Sequence, residues 1–276
     1  MLIAVADADD PRLEPYRAVR ERDLAGRGGR FVAEGEVVLR VLLTRSRLPV
    51  ESVLVSQKRV AASGGLLARV PPEVPVYVAP HDVMSRIVGF PIHRGLLAIG
   101  RRGPERSAAD LLRDLPPAAT VLGLIGLANH DNVGGIFRNA AAFGAAAVLL
   151  DGTSCDPLYR KAIRVSVGAA LIVPFARGGT AGELLAALDS AGFEAVALSP
   201  GGTEPLSAYR RAPRTALLLG TEGPGLPSDI LARTRTVRIP MAAGFDSLNA
   251  ATASGIALHH LVHAPEPLSR TEEGQG

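Results

Sequence analysis

Residues 120–151 read TVLGLIGLANHDNVGGIFRNAAAFGAAAVLLD, and this stretch decides the fold class. Two short, nearly continuous apolar runs, TVLGLIGL and AAVLLD, flank a glycine-bounded helical segment, GGIFRNAAAFG. Such runs are typical of strands that are buried on both faces of a parallel sheet. The stretch therefore predicts a strand–helix–strand unit of an α/β fold.

The same alternation continues through the second half of the chain. We expect further strands at LIVPF, EAVALS, TALLLG and TVRIPM, and helices at TAGELLAALDSAG, SDILART and LNAATASGIALHHLVHA. The last helix has a face built from Ala and Gly, which suits close packing against another helix. The pattern predicts a parallel sheet with helices on its faces.

The first segment mixes helical and strand patterns. We expect a helix near Glu36–Thr44 and strands at VESVLVS, VPVYVA and GLLAIGRR. The stretch RRGPERSAADLLRDLPPAA is polar and then proline-rich, which is typical of a linker. We therefore predict a domain at residues 1–103, a linker at 104–117, a second domain at 118–265 and a disordered tail at 266–276.

The composition bounds the class of protein. Hydrophobic residues make up 47% of the 276 residues, which is ample for a buried core. No apolar run reaches the ~20 residues needed to span a bilayer, and MLIAVADADD lacks the basic start of a secretory signal. Cys155 is the single cysteine, which excludes an intramolecular disulfide and a multi-cysteine zinc site. We expect a cytoplasmic protein with no membrane partner.

The charge is unevenly distributed. The formal net charge is +3, but residues 1–106 hold 17 of the 30 basic residues and 12 of the 27 acidic ones. All basic residues except Lys58 and Lys161 are arginine, whose planar fork binds phosphate bidentately. The first half is therefore a candidate nucleic-acid-binding region, and a compositional bias of the genome is the alternative explanation.

The first of three motifs is LANHDNVGGIFRNAAAFGA, residues 127–145. Asn129, Asp131 and Asn132 can cap the helix that follows, and we expect Arg138 about one turn into that helix. Because ligands of open α/β sheets bind beyond the carboxyl ends of strands, the motif is a candidate binding site. The alternative is a capped helix with a surface arginine.

The second motif is LLLGTEGPGLPSDI, residues 217–230. Its glycines and prolines define a stiff loop that holds Glu222. The loop lacks the Gly-Lys-Ser/Thr of a P-loop and the spacing of a Rossmann fingerprint. The alternative is a glycine-rich turn with a solvated glutamate.

The third motif is VRIPMAAGFDSLNAATASGIAL, residues 237–258. We expect a strand that ends at Met241 and a long helix capped by Asp246 or Ser247, with Asn249 in its first turn. Capping and a role in a site are compatible, so both remain open for these residues.

Together the three motifs resemble those of the SpoU/TrmH family of RNA 2′-O-ribose methyltransferases. The matching elements are the NxGxxxR set of Asn132, Gly134 and Arg138, the run GTEGPGLP at 220–227, and IPM…SLNAATASGIAL at 239–258. The resemblance covers about residues 120–262. Two departures leave the substrate open: Asn139 stands where threonine is common, and AATA follows Asn249 where a Val-Ser-Val-Ala-like run is frequent.

The N-terminal segment carries a second resemblance. Its DPRLEPYR, FVAEG and GFPIHRGLLA stretches are similar to the small, ribosomal-protein-like α/β RNA-binding domain that is often fused ahead of this catalytic domain. The expected fold is thus a C-terminal parallel-sheet SPOUT domain with a trefoil knot, preceded by that small domain. Ribosomal RNA of the large subunit is favoured over tRNA as substrate.

The family resemblance also implies a reaction and its residues. It implies methyl transfer from S-adenosylmethionine to a ribose 2′-hydroxyl of structured RNA, without a metal, by a homodimer in which Arg138 lies near the partner's cofactor pocket. The implied catalytic residues are Arg138, Asn132, Glu222, Ser247 and Asn249. The implied cofactor-binding residues are Gly220, Ile239, Leu248, Leu219 and Thr221. An arginine with a pKa above ~12 is a poor base, so a phosphate clamp is the preferred role for Arg138.

Two other functions are alternatives to this one. A catalytically silent RNA-binding or ribosome-assembly protein could keep the fold, although the intact Asn132, Arg138, Glu222 and Asn249 set argues against it. A nucleotide-dependent oxidoreductase is disfavoured because no G-x-G-x-x-G follows a first strand. The six histidines show no metal-ligand spacing. His130 contacts substrate or only shapes its loop, and Lys161 and Arg164 line the RNA path or only solvate a helix.

Overall fold

The computed structural model describes residues 1–17, 28–245 and 247–263. In the first half, five strands form a mixed sheet in the order β1-β4-β3-β5-β2. β4 runs parallel to β1 and β3, whereas β5 is antiparallel to β2 and β3. The strands are β1 (Leu2–Ala4), β2 (Arg30–Glu34), β3 (Val50–Ser56), β4 (Val76–Ala79) and β5 (Leu96–Arg101), and the helices are α1 (Glu36–Thr44), α2 (Gly64–Leu67) and α3 (His81–Val88).

The second half holds a parallel sheet of seven strands in the order β10-β12-β9-β11-β6-β7-β8. Its strands are β6 (Ala119–Leu124), β7 (Ala147–Leu150), β8 (Phe175–Arg177), β9 (Glu194–Leu198), β10 (Glu204–Pro205), β11 (Arg214–Leu219) and β12 (Arg235–Arg238). Every residue of β6 and β7 is buried, as expected for central strands covered on both faces. The predicted α/β fold with a parallel sheet is confirmed; the trefoil threading stays a prediction.

Six helices accompany this sheet in the described part of the chain. They are α4 (Ala108–Arg113), α5 (His130–Ala142), α6 (Arg160–Val165), α7 (Ala181–Ser190), α8 (Ser228–Leu231) and α9 (Ala250–His263). α9 packs on α5 through its small residues: a Cβ on Gly135 would lie only 2.6 Å from Ala251 Cβ. The face of small residues on α9 therefore packs against α5 of the same chain.

Three sequence predictions differ from the structure. LIVPF is not a strand up to Phe175, because residues 169–171 form a 3-10 helix and β8 begins only at Phe175. β12 ends at Arg238 rather than Met241, two residues before Pro240, which has no N–H to donate to a neighbouring strand. The predicted linker contains α4, which is capped by Ser107 and buries Leu111 and Leu112. The domain boundaries stay predictions, and the tail 266–276 lies outside the described residues.

One buried apolar cluster spans both halves. Leu39 and Leu42 of α1 belong to the same buried cluster as Ala170 and Leu171. Polar contacts cross the same junction: Arg160 Nη1 lies 2.7 Å from Glu34 Oε2, Ser46 Oγ donates to Leu171 O at 2.8 Å, and Arg102 pairs with Asp156. The junction is thus a packed interface rather than a loose tether.

Candidate active site

Three loops meet at the carboxyl ends of adjacent strands. β12, β9 and β11 are neighbours in the sheet, and the chain leaves them at Arg238, Leu198 and Leu219. The loops and the start of α9 surround one cavity. Its lining is Leu198, Ser199, Pro200, Leu219, Gly220, Thr221, Glu222, Gly223, Gly225, Ile239, Met241, Ser247, Leu248, Ala250 and Ala253. The second and third motifs are therefore walls of the same cavity.

The glycine-rich loop is folded back on itself. Thr221 and Gly225 exchange backbone hydrogen bonds of 3.2 Å each, and the Thr221 hydroxyl also donates to Gly225 O. Close approach requires glycine at position 220, since a Cβ there would lie 2.3 Å from Gly225 C. The loop thereby presents Glu222 at its tip with the backbone of Gly220 and Thr221 exposed to the cavity.

A hydrogen-bonded cluster joins all three motifs beside the cavity. Asn132 is only 2% exposed, and its Nδ2 donates to Glu222 Oε1 at 2.5 Å. Asn249 Nδ2 donates to Asn132 Oδ1 at 2.7 Å and lies 3.5 Å from the same Glu222 oxygen. Two amides thus hold one carboxylate oxygen, while Glu222 Oε2 takes no hydrogen bond from any residue that the structure describes.

Asn249 also caps the last helix, which corrects the capping prediction. Its Oδ1 accepts from the N–H groups of Ala251 and Thr252 at 3.0 and 3.2 Å. This bonding fixes the orientation of the amide, because Oδ1 faces the helix and Nδ2 must face Asn132. Ser247 is not the cap but an exposed residue of the cavity wall, and Asp246 lies outside the described residues.

Arg138 lies apart from this cluster. Asn129, whose Oδ1 accepts from Asp131 N, caps α5, so the helix begins at His130 and Arg138 is two turns inside it rather than one. Its side chain is exposed, and it forms no ion pair with the described residues. It does not line the cavity of its own chain.

The predicted cofactor-binding residues lie together in the wall of this cavity. Gly220, Ile239, Leu248, Leu219 and Thr221 all line the cavity. Sequence reasoning missed Leu198, Ser199 and Pro200, which form the wall contributed by β9. The signal was present, because EAVALS is followed by Pro-Gly-Gly, and the carboxyl end of any strand in a parallel sheet is a candidate.

Residues near the first motif are occupied by local contacts. The rings of His130 and Tyr159 lie 4.1 Å apart, and Lys161 pairs with Asp131 at 2.6 Å. Asn139, one of the departures from the family pattern, donates to Ala251 O and Ser254 Oγ at 2.6 and 2.9 Å. Asn139 thus joins α5 to α9 without touching the Asn132–Glu222–Asn249 cluster.

Among residues 1–17, 28–245 and 247–263, no group of three or more His, Cys, Asp or Glu is arranged to hold a metal ion. In the same part of the chain, no helix has the length and apolar character needed to cross a membrane.

Comparison with known proteins gives concordant results. The model of the SpoU rRNA Methylase family matches residues 119–259. An uncharacterised tRNA/rRNA methyltransferase of Mycobacterium bovis is 42% identical over 266 residues, which are 92% of this chain and 90% of that protein. The fold is similar to the SpoU methyltransferase AviRb from Streptomyces viridochromogenes in complex with AdoMet, with a TM-score of 0.77, 25% identity, and 92% and 97% of the two chains covered. It is also similar to the AdoMet-bound rRNA methyltransferase from Sinorhizobium meliloti, with a TM-score of 0.76, 24% identity, and 93% and 96% covered.

Proposed function

The chain belongs to the SpoU rRNA methylase family, and we propose that this RNA methyltransferase modifies a ribose 2′-hydroxyl of structured RNA, with ribosomal RNA favoured over tRNA. The observation that carries the proposal is the Asn132–Glu222–Asn249 cluster beside the cavity. It joins one side chain from each motif at the rim of the pocket that would hold the methyl donor. We propose the cytoplasm as its compartment.

The cavity suits S-adenosylmethionine, the cofactor of this family. Leu198, Leu219, Ile239 and Leu248 offer apolar surface for a purine ring, and the glycine loop offers backbone groups for hydrogen bonding. Glu222 supplies a negative charge that complements a sulfonium. When bound, the cofactor supplies an electrophilic methyl group.

The side chains of the cluster have distinct roles in the proposed mechanism. Asn132 and Asn249 hold Glu222 Oε1, so the carboxylate is oriented before substrate arrives. Its other oxygen, Oε2, is left to hold the ribose hydroxyl and to accept its proton. Ser247 on the same wall adds a polar contact for the nucleotide. The activation barrier of methyl transfer is lowered because the ribose hydroxyl is positioned and because Glu222 accepts its proton.

We propose a homodimer in which Arg138 acts on the partner's site. Several apolar side chains around the pocket and on α9 are exposed, including Phe245 (74%), Ile256 (43%) and Val262 (41%), and a second copy would cover them. Arg138 is exposed and has no described acidic partner in its own chain. A guanidinium in that state is available to clamp an RNA phosphate.

The experiment is methyl transfer from labelled S-adenosylmethionine to deproteinised 23S ribosomal RNA and to bulk tRNA. Alkaline hydrolysis then tests the position, because methylation of the 2′-oxygen removes the nucleophile that cleaves the adjacent phosphodiester. An alkali-resistant dinucleotide from ribosomal RNA is expected. Label that is released entirely as base-methylated mononucleotides would refute the ribose assignment, and transfer to tRNA alone would refute the ribosomal preference.

The dimer is tested separately by mixing two inactive variants, Arg138→Ala and Glu222→Ala. If Arg138 serves the partner's pocket, each mixed dimer has one intact site, and activity should recover to about a quarter of wild type. A mixture that stays inactive although native mass spectrometry shows mixed dimers would refute action across the interface.

A further inference from the structure

A second cavity lies at the junction of the two halves, away from the candidate active site. Its volume is about 640 Å³. It is bounded by residues 45–48 after α1, residues 102–106 after β5, and residues 170–177 up to the end of β8. Among the residues that the structure describes, five arginines line it, and Glu105 is the one acidic residue of the lining; the arginines are Arg45, Arg47, Arg102, Arg106 and Arg177.

Acidic partners neutralise only part of this cluster. Arg102 pairs with Asp156, and Arg106 lies 2.6 Å from Asp114. Arg177 instead donates to the carbonyl oxygens of Ser154 and Gly152 at 2.8 and 3.2 Å. Carbonyl oxygens satisfy hydrogen bonds but carry no net charge, so the charge of Arg177 remains.

Arg45 and Arg47 add two further uncompensated charges. Both side chains are exposed, and neither forms an ion pair within residues 1–17, 28–245 and 247–263. The Nε of Arg102 is buried and has no hydrogen-bond partner in the same residues.

The loop that carries Arg45 and Arg47 is held in place. Between them, Ser46 donates from Oγ to Leu171 O at 2.8 Å and accepts from Leu48 N at 3.1 Å. The backbone N–H groups of Arg45 and Ser46 both bond to Val41 O at the end of α1. The backbone of this loop is thus held both by α1 and by residue 171 of the second half. Ligand binding would therefore restrict only the two arginine side chains, which keeps the entropy cost of binding small.

We propose that this junction cavity binds a phosphodiester of the RNA substrate, with Arg45 and Arg47 as the phosphate-binding residues. The proposal rests on the proposed function for its ligand class. Guanidinium groups pair bidentately with phosphate, and exposed guanidinium groups can bind a phosphate in the middle of an RNA chain. β8 is three strands from β11, a lateral separation of about 14 Å at the usual strand spacing, and an extended RNA chain can bridge that separation.

The test compares two charge-matched double variants of the full chain. R45A/R47A removes two arginines of the cavity, and R69A/R86A removes two exposed arginines of the same half that do not line it. The probe is deproteinised 23S ribosomal RNA, with binding measured over a range of salt concentrations. We expect R45A/R47A to raise Kd about tenfold and to lower the slope of log K against log salt by about 1, the value for one phosphate contact.

The outcomes separate this inference from the proposed function. R69A/R86A should change RNA affinity less than twofold, and both double variants should keep wild-type affinity for S-adenosylmethionine. Equal losses in the two variants would mean diffuse charge and would overturn the site. Micromolar binding of ATP that R45A/R47A abolishes, with RNA affinity unchanged, would assign the cavity to a free nucleotide and also overturn it. Failure of the wild type to methylate any RNA would refute the proposed function, whereas RNA binding would still be measurable.

Discussion

Asn132 Nδ2 donates a hydrogen bond of 2.5 Å to Glu222 Oε1, although the two residues are 90 positions apart in sequence. Asn132 is on the first turn of α5, and Glu222 is in the loop after β11. The bond therefore sets where the glycine-rich loop stands relative to the helix that carries Arg138. Asn249 completes the arrangement from the cap of α9.

This relationship predicts a specific loss in Asn132→Ala. Without the amide, the carboxylate of Glu222 keeps only the longer contact with Asn249 and is no longer oriented. We expect methyl transfer to fall about a hundredfold or more, in the range seen when one positioning or transition-state contact is removed. Initial rates with labelled S-adenosylmethionine measure the effect.

Asn139→Ala is the matched control, since it removes the same side chain from the same helix. Its amide bonds to Ala251 O and Ser254 Oγ and not to Glu222. We expect a lower melting temperature with kcat within a few-fold of wild type. An Asn132→Ala enzyme as active as this control would contradict the positioning role.

A second prediction concerns the loop backbone. Gly220→Ala would push a methyl group to within 2.3 Å of Gly225 C, so the loop must move and the pocket should lose its affinity for S-adenosylmethionine. Gly223→Ala is the control, because its φ of +86° disfavours alanine but no atom of the described residues lies within 4 Å of the new methyl group. Calorimetry should show no binding for the first variant and near-normal binding for the second, which pays about 1 kcal/mol in backbone strain.

Much of this site could be predicted from the sequence because its residues lie in loops with strong local signals. The density of glycine and proline around Glu222 marked the loop, and the strand-end rule located it. Its partners were harder to predict. Asp246, Ser247 and Asn249 are all good capping residues, so local chemistry could not decide which one begins α9. That choice depends on the tertiary bonds from Asn249 to Asn132 and Glu222.

The junction between the halves was less predictable still. RRGPERSAADLLRDLPPAA has the composition of a linker, yet Leu111 and Leu112 are buried in a core that the sequence pattern does not reveal. The pairing of Glu34 with Arg160 joins residues 126 positions apart. Contacts between residues so far apart in sequence do not change the hydrophobic periodicity of either segment, and so they cannot be predicted from local patterns.

A third prediction follows from that ion pair. The side chains of Glu34 and Arg160 are only 8% and 17% exposed, so Arg160→Ala leaves a buried carboxylate without its cation. We expect a loss of about 3 kcal/mol in the free energy of unfolding. Urea denaturation measures it, with Arg40→Ala as control: the Arg40–Glu36 pair is exposed and should cost about 0.5 kcal/mol or less. Equal midpoints for the two variants would contradict the structural role of the buried pair.

A fourth prediction concerns Cys155. Burial, with a smaller contribution from the negative charge of Asp156, raises the pKa of its thiol to about 11. At pH 8 the native thiol is therefore almost wholly protonated, whereas a thiol with a pKa near ~8.5 in the unfolded chain is partly ionised. Iodoacetamide should react on the order of a hundredfold more slowly with the native protein than in urea, as followed by mass spectrometry.

The same pKa shift determines whether the free energy of unfolding rises or falls with pH. Between about pH 8.5 and pH 11 the unfolded chain releases the thiol proton while the native protein retains it, so a rise in pH favours unfolding in this window. Cys155→Ser removes the ionisation and should flatten this part of the stability profile. Native-state alkylation as fast as that of the unfolded chain would show that the thiol is not shielded.

The last prediction distinguishes two roles for Arg138. Its side chain is exposed and outside the cofactor cavity of its own chain, and its proposed contact in the partner's site is with an RNA phosphate. Arg138→Ala should therefore leave S-adenosylmethionine affinity unchanged. Methyl transfer should fall about a hundredfold or more, on the order of 3 kcal/mol of transition-state stabilisation. Near-wild-type activity of this variant would remove Arg138 from the mechanism.

Arg138→Lys then separates a phosphate clamp from a general base. Lysine keeps the positive charge but loses the planar fork, so a clamp predicts low activity at every pH. A base predicts the opposite, because a lysine with a pKa near ~10.4 loses its proton far more readily than a guanidinium and should gain activity as pH rises. Rates for the wild type and the lysine variant from pH 7 to 10 decide between them. Since Glu222 Oε2 is already available beside the pocket to accept the ribose proton, we expect the lysine variant to stay inactive throughout, and a strong recovery above pH 9 relative to wild type would refute the clamp.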